Sequence, residues 1–167
     1  MEDTKEQDSM GEVQLVAFVL ENEEFAVDIK QVREVLKITK ITPLPRSIDF
    51  IEGVINLRGE IIPVIDLCKK FGLERIEGRD ESGRIIIVEI EDDEVGLIVD
   101  AVTEVIRLPK NSIQLPPTDV AGTHNDLIQG IGKMDERLII ILNLERILTT
   151  EENITFEKLT LPEADSQ

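Results

Sequence analysis

The sequence predicts an all-β protein with a few short helices, folded as two small barrels. Two observations predict it. The chain reads as a succession of short aliphatic, β-branched runs, each bounded by polar or glycine-containing turns and too short for ordinary helices. It also reads twice. Shifted by 70 positions, residues 24–36 (EFAVDIKQVREVL) fall on residues 94–106 (EVGLIVDAVTEVI), with Glu24/Glu94, Val32/Val102, Glu34/Glu104 and Val35/Val105 identical. Shifted by 77, residues 53–71 fall without a gap on residues 130–148 (GIGKMDERLIIILNLERIL), with Gly53/Gly130, Ile62/Ile139 and Leu67/Leu144 identical and the pair Asp66/Asn143 alike in chemistry. Proline-containing loops absorb the difference. Two copies of a unit of about 60 residues, each with about five short strands and a terminal helix, suggest barrels of the SH3-like kind.

Taken in order, residues 1–12 lack apolar periodicity and are expected to be a disordered acidic tail. Residues 13–20 and 25–27 make a first hairpin across the polar residues 21–24. Asp28 is placed to cap a helical turn over 29–32, and residues 33–39 alternate as a further strand. Thr42-Pro43-Leu44-Pro45 reads as an extended crossing or edge segment, because two prolines remove ladder donors. Residues 47–51 read as a helical turn. The run from 53 to 72 (GVINLRGEIIPVIDLCKKFG) follows as strand, Arg58-Gly59-Glu60 turn, strand, Asp66 N-cap, short helix and Gly72 stop. Residues 74–83 read as a charged loop, 84–90 and 95–99 as a hairpin about the turn 91–94, and 102–108 as a strand. After Pro109, Pro116, Pro117 and a loop around His124, Ile131, Met134 and 138–142 form the last hairpin. Asn143 caps a helix to 148, and residues 149–167 read as an acidic tail. The expected domain is 13–148, duplicated as approximately 13–75 and 84–148.

The 167 residues carry a net charge of −17. Residues 1–12 and 149–167 hold −4 each, so −9 belongs to the body. Nucleic acid needs a basic footprint and none is visible; an anionic membrane surface is disfavoured for the same reason. With no Tyr or Trp and five Phe, platforms for stacking bases or sugars are lacking. A single cysteine, Cys68, permits no internal disulfide and suits a reducing compartment. The N-terminus is polar, and uninterrupted apolar runs such as 138–142 are far below a membrane span. The expectation is a soluble cytoplasmic protein with a protein partner.

Catalytic constellations are missing. His124 is the only imidazole and Cys68 the only thiol; a loop histidine and a buried structural cysteine are the favoured readings over a dyad. No HExxH, CxxC, P-loop or GxGxxG spacing occurs, and the carboxylates of 89–94 sit on a hairpin turn without a calcium-loop pattern. Neither catalysis, cofactor nor metal is expected. The duplication separates scaffold from recognition. Gly53 recurs as Gly130 and Glu34 as Glu104, whereas Arg58 falls opposite Asp135 and Gly59 opposite Glu136, which tilts Arg58 toward recognition. Pro63 opposite Ile140 marks an unpaired edge in the first copy.

The run G-V-I-N-L-R-G-x-I-I-P-V-I-D-L at 53–67, with V-x-E-V at 32–35 and V-G-L-I-V-D-x-V at 95–102, resembles the CheW family of bacterial chemotaxis adaptors over about residues 13–148. The resemblance implies two five-stranded SH3-like barrels packed around a shared hydrophobic core, and a non-catalytic scaffold in signalling arrays. It implies as partners the cytoplasmic tips of transmembrane chemoreceptors and the regulatory domain of the histidine kinase CheA. Val32, Glu34, Gly53 and Arg58 match family positions tied to receptor recognition; the kinase surface is not assigned to residues. Two alternatives stand beside it. One is the CheW-like module of a CheV-type protein, disfavoured because the chain ends at Gln167 without room for a receiver. The other is a small-ligand sensor or enzyme on a double barrel, disfavoured by the lack of a convergent polar set.

Overall fold

The computed structural model describes residues 11–45, 51–74, 79–116 and 127–147. The loop around His124, residues 1–10 and 148–167 and most of the helical turn expected over 47–51 lie outside the described residues, while Glu12, the last residue of the expected N-terminal tail, already opens the first strand. Among the described residues eleven strands form two sheets. The first half contributes β1 (Glu12–Leu20), β2 (Glu23–Asp28), β3 (Val32–Lys37), β4 (Ile51–Leu57), β5 (Glu60–Asp66) and helix α1 (Leu67–Phe71). The second contributes helix α2 (Arg79–Ser82), β6 (Arg84–Ile90), β7 (Asp93–Val99), β8 (Ala101–Pro109), β9 (Ile113–Gln114), β10 (Ile128–Met134), β11 (Arg137–Leu142) and helix α3 (Leu144–Ile147).

The sequence repeat is visible strand by strand, but the barrels are not the halves. One sheet runs β8-β1-β2-β11-β10-β9 and the other β3-β6-β7-β5-β4. Barrel A therefore takes its first two strands from the first half and its other strands from the second; barrel B takes three from the first half and two from the second. The crossovers are parallel pairs, β2 with β11 and β7 with β5. Two further features depart from the sequence reading. A single helical turn, α2, stands within the charged loop 74–83, and the two-residue β9 adds a sixth strand to barrel A.

Local chemistry explains the elements. The four hairpins among the described residues turn on two residues each, and positive φ values at Glu21, Asn22, Arg58, Gly59, Glu91, Asp92 and Asp135 supply the twist that tight hairpins demand. The turns are thus narrower than the four-residue polar runs suggest; Glu23, Glu24, Asp93 and Glu94 already lie on strands. Asp66 caps α1 by accepting from the Cys68 amide at 3.0 Å, and Gly72 ends it at φ +73°. Asn143 caps α3 through the Arg146 amide at 3.2 Å. Pro63 pairs with Val54 on β4, while the parallel ladder to β7 begins only at Val64, leaving the edge expected beside the proline.

The strands alternate between two buried environments, which is why they read as unbroken aliphatic runs. Leu15, Ala17, Ala26, Ile106, Leu108, Ile139 and Ile141 fill barrel A. Ile55, Ile62, Val64, Ile85, Ile87 and Ile98 fill barrel B. The residues between them, among them Val16, Phe18, Phe25, Ile65, Ile86, Val88 and Leu142, form one shared core contributed by both sheets. Phe18, Phe25 and Phe71 stack through that core at centroid distances of 6.1 and 6.0 Å. Cys68 is fully buried, with its sulfur 3.7 Å from an oxygen of the buried Asp100.

Candidate recognition site

The segment that positions the site begins at Asp28, whose carboxylate accepts from the Lys30 amide at 2.9 Å and holds a 3-10 turn before β3. The ladder of β3 on β6 then pairs Val32 with Val88 but Glu34 with Ile87, so Arg33 is a bulge. The bulge sends Val32 onto the shared core and brings Glu34 onto the face of β3 that carries Leu36, which packs inside barrel B. The same irregularity recurs in the second copy at Thr103, whose hydroxyl donates to the Ala17 carbonyl at 3.2 Å.

Arg58 reaches Glu34 from the β4–β5 turn, and the two side chains make a hydrogen-bonded ion pair across 24 residues of sequence. Glu34 holds the guanidinium pKa above its usual value, chiefly through that hydrogen bond and then through charge. The turn is fixed independently: Asn56 Oδ1 accepts from the Gly59 amide at 3.0 Å. Arg58 is 70% exposed at its side chain, so the pair lies at the barrel rim in water. Val35 and Ile61 are also exposed, at 40% and 53%. Exposed aliphatic side chains thus occur on the same two elements, β3 and the β4–β5 hairpin, that carry the charged pair.

Gly53 sits lower, buried in β4 with φ +147°. A Cβ there would stand 2.1 Å from the Thr42 carbonyl oxygen. The close approach lets Thr42 and Val54 exchange two backbone hydrogen bonds of 2.9 Å, which lays the proline segment along the edge of β4. Gly53 thus shapes the backbone on which the rim is built.

One partner of this geometry escapes the sequence comparison. Aligned by position, Arg58 has no counterpart, yet the second hairpin carries Arg137 two places further on. Arg137 donates to both oxygens of Glu24, at 3.0 and 2.6 Å, and to Glu104, the counterpart of Glu34, at 2.9 Å. Both barrels therefore tie a hairpin arginine to the matching glutamate of the third strand. The hint in the sequence is a recurring glutamate with an arginine near each turn, at a register two residues apart. Glu24, held mainly by this hydrogen bond, has its pKa lowered. The carboxylates of the β6–β7 hairpin are partly neutralised as well, Arg33 lying 3.1 Å from Glu89 and 3.6 Å from Glu94. Among the described residues no three His, Cys, Asp or Glu side chains converge as metal ligands, and no helix is long and apolar enough to cross a membrane.

Two strand-exchanged barrels over one core, with a charged and aliphatic rim, define a protein-binding scaffold. A CheW-like domain model matches residues 14–152. The chemotaxis protein CheW of Thermotoga maritima is 37% identical over 151 residues, which cover 90% of this chain and 95% of that protein. CheW of Bacillus subtilis is 37% identical over 139 residues, 83% of this chain and 88% of its own length. The crystal structure of the scaffolding protein TtCheW from Thermoanaerobacter tengcongensis superposes with a TM-score of 0.77 at 46% identity, covering 84% of this chain and 90% of that one. The chain belongs to the CheW family, and is accordingly a non-catalytic chemotaxis scaffold.

Proposed function

We propose that this scaffold works in the cytoplasm, at membrane-associated arrays, where it couples transmembrane chemoreceptors to the histidine kinase CheA. Val32, Glu34, Gly53 and Arg58 form its receptor-recognition set within a domain spanning 13–148, with the acidic segments 1–12 and 149–167 outside it. The observation that carries this reading is the Glu34–Arg58 pair at the rim of barrel B, on a hairpin whose turn does not depend on the arginine side chain. Receptor tips are helical hairpins, and such a rim can take an apolar helix face while the two charges fix its register. Val32 supports β3 from the shared core and Gly53 sets the path of β4, so these two act by positioning. Kinase and receptor use separate surfaces, and weak pairwise contacts become an array through effective concentration.

The test is binding of a purified receptor signalling fragment and of CheA, separately and together. Arg58→Ala is expected to weaken receptor binding about tenfold while stability stays within about 0.5 kcal/mol, as for an exposed side chain. Unchanged receptor affinity removes Arg58 from the site. Binding of the unaltered protein to neither partner ends the coupling reading.

A further inference from the structure

We infer that a groove at the end of barrel A, apart from the Glu34–Arg58 rim, binds a carboxylate-rich peptide segment of a partner protein. The groove has a volume of about 570 Å³, within the range of ligand-sized clefts. Its walls are the start of β1, the turn after β2 and the end of β8, from which Lys30, Arg107 and Lys110 converge.

 These three cations stand out in a chain of net charge −17. Arg33, Arg58, Lys69 and Arg137 are engaged in ion pairs, whereas Lys30, Arg107 and Lys110 make none among the described residues. Two carboxylates, Glu12 and Asp28, also line the groove, the latter accepting from the Lys30 amide, so the cations exceed the carboxylates by one. Gln14 and Gln129 each offer a donor and an acceptor, the pair of functions that a peptide backbone matches and a bare anion does not. Val13 and Ile29 supply the apolar part of the lining.

In barrel B the corresponding end is covered by a segment of the chain itself. By the internal repeat, Gln14 and Arg107 correspond to Arg84 and Lys37 in barrel B. There the chain itself supplies a one-turn segment, α2: Ser82 donates to the Asp100 carbonyl at 2.8 Å, and Arg84 grips the Glu81 and Gly83 carbonyls at 3.1 and 2.7 Å. That end of barrel B is thus covered by a short segment, and the exposed side chains at the same end of barrel A include Lys30, Arg107 and Lys110 beside Glu12, Gln14 and Gln129.

The probe is a fluorescein-labelled peptide of alternating Glu and Ala, followed by fluorescence anisotropy with the full chain. Reversing the groove charges together (Lys30→Glu, Arg107→Glu, Lys110→Glu) is expected to weaken binding at least about tenfold, and neutralising them to Gln to weaken it less. A control triple reversal at Lys37, Lys40 and Lys133 should leave most of the affinity. Circular dichroism melts establish that each variant is folded. Equal weakening by the two reversals reduces the effect to overall charge and overturns the site. Displacement by inorganic phosphate as effective as by unlabelled peptide overturns the peptide assignment. Binding that emerges only after removal of residues 1–10 makes the chain's own N-terminal segment the occupant and overturns the partner.

Discussion

Replacing Gly53 by alanine separates the backbone role of this residue from any direct contact it makes with a partner. The added Cβ would lie 2.1 Å from the Thr42 oxygen, 2.7 Å from its carbon and 2.9 Å from Pro43 Cα, all backbone atoms, where ordinary contact begins near 3.4 Å. Relief requires the two segments to separate by more than an ångström, which breaks both 2.9 Å hydrogen bonds between Thr42 and Val54. Two net hydrogen bonds at about 0.5–1.5 kcal/mol each, with about 1–3 kcal/mol for a side chain held at an unfavourable φ, give a loss of about 2–6 kcal/mol. For a protein of this size that is a fall in Tm of about 5–20 °C. Gly130, its counterpart, offers the internal control. A Cβ there meets Ile113 Cγ2 at 2.7 Å, the end of a movable side chain, and the Gln114 oxygen at 3.2 Å, so Gly130→Ala should cost less. Urea and thermal unfolding of both variants measure the difference. A Gly53→Ala protein as stable as the unaltered one, or a greater loss at Gly130, refutes the steric argument.

Ile62 is 2% exposed inside barrel B, and Ile62→Ala should cost about 2–5 kcal/mol in urea unfolding; a near-neutral result contradicts the register of β5. The Glu24–Arg137 bond predicts a pH dependence. Because the folded carboxyl titrates below its ordinary value of 4.5, its stabilisation is complete above that pH and is lost as pH falls through the lower folded pKa. Arg137→Met should therefore lower stability at neutral pH and shallow its decline below pH 4.5; parallel stability curves for the two proteins reject the assignment.

Much of the fold is legible in the sequence because its determinants are local. Two-residue turns, the Asp66 and Asn143 caps and the Gly72 stop act within a few residues, and the aliphatic runs between them suit strands buried on both faces. Which strands share a barrel is not local. The pairing of β2 with β11 and of β5 with β7 depends on contacts between halves that look alike, and a repeat in sequence does not say whether each copy closes on itself. The single-turn α2 has too few residues for a periodicity to register. At the site, Glu34 and Arg58 are individually visible, but their bond depends on the Arg33 bulge and on the approach of β3 to the hairpin. Arg137 is hidden by a two-residue offset within an otherwise gapless alignment.

The exchange of strands between the halves sets a timetable for synthesis. Barrel B lacks its centre until β6 and β7 have been made, as far as Val99, and barrel A stays open until β11 ends at Leu142. The usual sequence in which an N-terminal domain folds while the next is still being translated is therefore closed to this chain. Its first half emerges as exposed aliphatic strands awaiting partners not yet polymerised. The same dependence joins the two barrels in the finished protein: a cut in the loop after α1 would leave two fragments, each holding part of both barrels, that must remain associated or unfold together.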